Sequence, residues 1–133
     1  MNKNKTIIIA EIGECFNGEM DSAKLLMVEA RNAGCDIVKF QTLDAEKISD
    51  DDPEREWFKK IALDQERIQY LIAEAEKIGI SILFTPENCK TAQWLLDFGL
   101  RDIKIGSSIA VDLELVGFAN NYFDRVFLST GMC

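Results

Sequence analysis

Histidine is absent from all 133 residues. The chain therefore lacks the commonest acid–base side chain for neutral pH and the commonest zinc ligand, which excludes a serine–histidine or cysteine–histidine nucleophile pair. The four cysteines, Cys15, Cys35, Cys89 and Cys133, show no CxxC spacing. They argue against a zinc site or a disulfide framework, and a reducing, cytoplasmic location is expected. Cys15 is read as a spectator thiol, since nothing nearby in sequence would activate it. Long apolar runs are missing too. After the basic start Met1-Asn2-Lys3-Asn4-Lys5, the run Ile7-Ile8-Ile9-Ala10 stops at Glu11, too short for a signal-peptide core or a membrane span. Positive charge is also in short supply: 15 Lys and Arg stand against 23 Asp and Glu, a net charge of −8. That balance argues against nucleic acid or anionic membrane as the main partner, and it means that any anion site must be made locally.

What is present is a globular composition, 47% hydrophobic and 29% charged with only two prolines, which excludes a disordered chain. Short β-branched runs alternate with amphipathic stretches. Strands are expected at Thr6 to Ile12, Asp36 to Thr42, Ile80 to Thr85, Ile103 to Ile105 and Arg125 to Ser129. Helices are expected from Asp21 or Ser22 as cap to Asn32, from Glu54 to Ile61, from the cap Asp64 to Ile78, from Thr91 to Phe98, and from the cap Asp112 to Asn120. Gly34 and Gly79 are placed to stop two of them. The acidic run Asp50-Asp51-Asp52 reads as a solvated loop that helps start the next helix, and Trp57 and Trp94 read as core or interface residues. Continuous apolar strands alternating with helices imply one domain with a parallel sheet covered by helices.

Polar residues gather where those strands end, which is where parallel α/β folds bind ligands. Glu11 follows the first strand; Lys39 and Gln41 belong to the second; Thr85 closes the third. Lys104 with Ser107 follows in the fourth, and Ser129-Thr130 ends the fifth. A lysine inside a buried strand costs several kcal/mol unless it is partnered. Lys39 and Lys104 therefore either snorkel out of the sheet or point into a hollow that holds an anion. Taken together, the five strand ends describe a pocket for a compact anion carrying phosphate or carboxylate oxygens.

Five motifs carry a resemblance. Ala10-Glu11-Ile12-Gly13 with Asn17-Gly18, Val38-Lys39-Phe40-Gln41-Thr42, Phe84-Thr85-Pro86, Lys104-Ile105-Gly106-Ser107 and Ser129-Thr130-Gly131-Met132 resemble the N-acetylneuraminate (sialic acid) synthase family, in that family's order and across nearly the whole chain. The resemblance implies a parallel (β/α) barrel of TIM type followed by a small antifreeze-like domain. It also implies condensation of phosphoenolpyruvate with N-acetylmannosamine or a related N-acetylated amino sugar, giving a 2-keto sugar acid and phosphate. By the same resemblance, Glu11, Lys39 and Lys104 are the candidate catalytic residues, and Asn17, Gln41, Thr85, Ser107 and Ser129 the candidate substrate-binding ones. A divalent metal ion, Mn2+ or Mg2+, is implied as cofactor, with its histidine ligands outside this chain, and a homo-oligomer is implied as the assembly.

The chain departs from the family pattern where Cys15-Phe16-Asn17-Gly18 stands for Asn-His-Asn-Gly. A complete barrel takes about 250 residues, so an incomplete barrel of about five strands in sequential order is expected, the amino-terminal part of a single synthase domain. Two other readings stand beside the enzyme. One is a non-catalytic anion-binding module that keeps the pocket without turnover. The other is a flavodoxin-like signalling domain, although no glycine-rich phosphate loop follows the first strand.

Overall fold

The structure, a computed structural model, describes residues 6–44 and 48–131. The basic start and the Met132 and Cys133 that close the last motif lie outside the described residues. Five strands and five helices follow one another as β1 (Ile9–Gly13), α1 (Met20–Asn32), β2 (Ile37–Gln41), α2 (Arg55–Ile61), α3 (Gln65–Ile78), β3 (Ser81–Thr85), α4 (Cys89–Asp97), β4 (Asp102–Ile105), α5 (Leu113–Tyr122) and β5 (Arg125–Leu128), with a 3-10 turn at Ser107–Ile109. Every pairing is parallel, and the two hydrogen-bonded sheets have the orders β1-β2-β3 and β4-β5. β4 packs beside β3 without a ladder between them among the described residues. Because β2 lies between β1 and β3, the flavodoxin-like reading is excluded: a doubly wound sheet would put the first strand inside. The arrangement is the arc of a barrel that does not close. No described helix is long and apolar enough to cross a membrane.

Strand alternation divides the chemistry between two faces. Val38 and Phe40 of β2, Phe84 of β3, and Ile103 and Ile105 of β4 are all fully buried against the helices. They meet Ala23 and Met27 of α1, Ile68 and Leu71 of α3, Leu95 of α4 and Leu115 of α5 in one core. The rings of Phe16, Phe40 and Phe84 run through it, 5.9 and 6.0 Å apart between centroids. In parallel register, Glu11 pairs with Lys39, and Gln41 with Thr85. Lys39, Gln41 and Thr85 alternate with Val38, Phe40 and Phe84, so they take the face turned away from the helices. Lys104 alternates with Ile103 and Ile105 in the same way.

Several boundaries differ from the sequence reading, each for a local reason. β1 begins only at Ile9, and the Ile8 amide is drawn to the Asp36 carboxylate at 2.9 Å. α1 begins at Met20, ahead of the expected caps Asp21 and Ser22. Its entry is set by a backbone turn, Glu19 N–H to the Phe16 carbonyl, while the Glu19 carboxylate turns away to Lys60 at 2.9 Å. α4 begins earlier than Thr91 because Asn88 caps it, accepting from the Thr91 N–H at 2.9 Å. The expected caps Asp64 and Asp112 do accept from the first turns of α3 and α5, and Gly79 closes α3 in the left-handed region at φ 75°. Asp50 pairs with Arg55 at 2.6 Å and Asp52 accepts from the Glu54 N–H, so the acidic run does open α2.

Candidate active site

Lys39 is 7% exposed, in the middle of β2. Its ammonium is partnered rather than solvated: the Glu11 carboxylate lies 2.5 Å away, and the ammonium donates to the Thr85 hydroxyl at 3.2 Å. Both partners come from the neighbouring strands: Glu11 stands level with Lys39 in the register, and Thr85 lies two residues further along β3, opposite Gln41. Glu11 is about half exposed, so this pair joins a dry cation to a wet carboxylate. The strand ends are tied together just beyond it, where Thr42 donates its N–H at 3.0 Å and its hydroxyl at 3.2 Å to the Thr85 carbonyl.

Lys104 opens on the same hollow from the other sheet. Its ammonium is held below the usual lysine range, first by burial and then by the positive charge of Lys39, with Glu11 pulling the other way. Two lysines can repel in this manner only if they share a space. Gly106 leaves room there, since a Cβ at that position would meet the Lys104 Nζ at 3.8 Å. Gln41 reaches the opposite wall, where a Cβ on Gly13 would meet Glu11 Oε1 at 3.1 Å and Gln41 Nε2 at 3.5 Å.

Ser107 opens the 3-10 turn after β4, and Ser129 follows β5, its N–H donating to the Ile105 carbonyl at 3.1 Å. These two therefore lie side by side at the ends of adjacent strands. Asn17 sits apart in the β1–α1 loop, exposed, with backbone φ 51° and its side-chain oxygen accepting from the Trp57 indole at 3.1 Å.

Two acidic residues escaped the sequence reading. The carboxyl of Glu14 is pushed up by burial, by Glu87 and by Glu11, and drawn down by Lys39, so it borders the same hollow. Glu87 is held by the Asp44 N–H at 2.8 Å. Both directly follow a strand end, Glu14 after Gly13 and Glu87 after Pro86, which was the available signal. Among the described residues no group of three or more Cys, Asp or Glu side chains converges to hold a metal ion. The Glu11 carboxylate is engaged by Lys39. The described residues by themselves do not make a metal centre. A cleft of about 340 Å3, lined by Asp44, Lys59, Arg67, Asn88, Lys90 and Trp94, shares none of these residues with the hollow.

One buried and one half-buried cation, three hydroxyl-bearing strand ends and a carboxylate at the rim can hold a doubly charged anion and accept a proton beside it. Comparison with known proteins identifies the family. A model of the NeuB family matches residues 26–133. The N,N'-diacetyllegionaminic acid synthase of Campylobacter jejuni is 31% identical over 143 residues, a match covering 96% of this chain and 43% of that enzyme. The N-acetylneuraminate-9-phosphate synthase of Drosophila melanogaster is 34% identical over 143 residues, covering 94% and 37%. Among solved structures, the N-acetylneuraminic acid synthetase of Leptospira borgpetersenii superposes with a TM-score of 0.91 at 24% identity, over 98% of this chain and 46% of that one. The chain spans less than half the length of these relatives.

Proposed function

The chain belongs to the NeuB family, and from that premise we propose that it forms the amino-terminal arc, and the phosphoenolpyruvate half of the active site, of a (β/α)8 synthase. That enzyme joins phosphoenolpyruvate to an N-acetylated amino sugar. The observation that carries this reading is the pairing of Lys39 and Lys104, a buried and a half-buried ammonium from different sheets whose charges bear on one another. Such an arrangement is costly for an empty structural core and useful for a dianion.

Lys39 and Lys104 hold the phosphate and carboxylate oxygens, and the hydroxyls of Thr85, Ser107 and Ser129 with the Gln41 amide complete the cradle. The enol carbon attacks the aldehyde carbon of the open-chain sugar. One carbon–carbon bond forms from the enol electron pair, and the aldehyde oxygen becomes a hydroxyl by taking a proton. The positive charge left at the phosphate-bearing carbon is met by water, whose proton passes to a carboxylate such as Glu11. Collapse of that centre expels phosphate and leaves the keto group.

Calorimetry of the full chain with phosphoenolpyruvate, joined to a phosphate-release assay with N-acetylmannosamine and Mn2+, tests the proposal. Binding is expected. Binding without release would favour the anion-binding module, and no binding at millimolar ligand would end both readings. The affinity should also fall as pH rises. Because burial and Lys39 hold Lys104 below the ordinary lysine range, its charge is lost at a lower pH than a surface lysine's, and a Lys104→Met variant should lose that step. An affinity that is flat up to the ordinary lysine range would contradict this.

We also propose a homo-oligomer. The described sheets end on unpaired strands, β1 on one side and β5 on the other, with Ile7 and Ile8 just before β1 and Leu128 on β5 exposed. Sedimentation of the full chain should give a dimer or larger species, and a monodisperse monomer would count against it.

A further inference from the structure

Strand β5 has two faces, and only one belongs to the helix-side core. In the β4-β5 register Ile103 stands opposite Val126 and Ile105 opposite Leu128, while Asp102 stands opposite Arg125 and Lys104 opposite Phe127. Ile103, Ile105 and Val126 pack with the helices. Side chains alternate along a strand, and register partners in a parallel ladder share a face. Arg125 and Phe127 therefore stand on the face of Lys104, the one that opens on the hollow. Neighbouring strands are only about 4.8 Å apart, which sets the half-buried Phe127 ring beside the Lys104 stem. The ring has a seat of its own. The Arg125 guanidinium lies 5.1 Å from its centroid and is paired across the ladder with the Asp102 carboxylate.

A lysine in a strand can lean either way along it. Leaning back, Lys104 would meet Asp102, two residues earlier on the same face and the nearest carboxylate in sequence. Arg125 already holds that carboxylate, and the Phe127 ring stands beside the stem above the pair. The ammonium leans forward instead: a Cβ on Gly106, two residues further on, would meet Lys104 Nζ at 3.8 Å. We propose that Phe127 is a positioning residue for Lys104, its ring, braced on the Arg125–Asp102 pair, walling the lysine stem from water and turning the ammonium to the strand end where the anion binds. This rests on the functional reading above and adds to it the residue that aims one of the two cations. Burial is the first cause that holds Lys104 below the ordinary lysine range, and the ring supplies part of that burial. The other charged groups facing Lys104 are Lys39 from β2, Glu11 from β1 and the Arg125–Asp102 pair, while β3 carries no charged residue. None of them changes when residue 127 is replaced.

The test follows the Lys104 side-chain resonance through a pH series in the full chain with labelled lysine, assigned against Lys104→Met, and reads phosphoenolpyruvate affinity by calorimetry over the same series. In Phe127→Ala water reaches the stem. The Lys104 titration is expected to move up toward the ordinary lysine range, and the loss of affinity with rising pH to move up with it. At neutral pH the affinity is expected to fall about two- to tenfold, since a long side chain no longer held in place must be ordered on binding. Phe127→Leu restores an apolar wall and is expected to titrate as the parent does. Phe127→Gln keeps a side chain of similar reach but admits water, and carries the same expectation as Phe127→Ala if that variant does not fold. Val126→Ala, on the helix side of the same strand, is the control: it loses stability and leaves the Lys104 titration in place. A Lys104 titration that stays put in Phe127→Ala and Phe127→Gln, or that moves equally in Val126→Ala, would overturn the inference. A parent that does not bind phosphoenolpyruvate, while its Lys104 titration still moves with residue 127, would keep the wall and remove the functional reading.

Discussion

Replacing Lys39 by alanine is expected to weaken phosphoenolpyruvate binding on the order of 100-fold, because charge-assisted hydrogen bonds are worth roughly 1.5–3 kcal/mol each. Lys39 is 7% exposed, and its ammonium sits between the Glu11 carboxylate and the Thr85 hydroxyl. Its loss removes both the charge and the group that orients those two neighbours. The fold should survive, since the carboxylate left behind is about half exposed and water can serve it. Thermal unfolding followed beside calorimetry separates the two effects. A variant that binds within threefold of the parent would mean that the anion lies elsewhere. Lys39→Met, which keeps the bulk of the stem, should bind as poorly as Lys39→Ala if charge and not packing is responsible.

Gly18→Ala should be the most damaging single methyl in the chain. The position needs φ 76°, where a side chain costs about 1–2 kcal/mol. The new Cβ would also meet backbone, the Lys60 carbonyl oxygen at 2.4 Å and its carbon at 2.9 Å, which no rotamer change relieves. Overpacking of that kind adds about 1–3 kcal/mol, so the total is about 2–5 kcal/mol. For a domain of this size that lowers the unfolding midpoint by about 10 °C or more. Gly34→Ala is the control, because Gly34 also has positive φ, 87°, but nothing lies within 4 Å of its would-be Cβ. Equal losses at the two positions would show that the close approach of α2 to the β1–α1 loop contributes nothing to stability.

Much of this architecture was legible because its signals are local. Asp64, Asp112 and Gly79 announce helix ends by the side-chain or backbone geometry they supply, and each acts as read. The two lysines were legible for the opposite reason, as charges out of place in apolar strands, and the structure turns both away from the core. What escaped depends on contacts between segments distant in sequence. The Glu19 carboxylate just ahead of α1 is taken up by Lys60, across the whole of α1 and β2, rather than by the helix end. The tie between Trp57 and Asn17 spans a similar stretch, so Trp57 could be read only as core or interface. Glu14 and Glu87 sat in plain view after strand ends. Only the folded register shows that their charges converge with that of Glu11.

The missing rungs between β3 and β4 have a mechanical consequence. Lys39 rides on one sheet and Lys104 on the other, so no backbone ladder fixes the gap between the two ammonium groups. That gap is governed by how α3, α4 and α5 seat against the strands behind it. A bound dianion would then act as a crosspiece, fastening two plates that the main chain leaves unlatched.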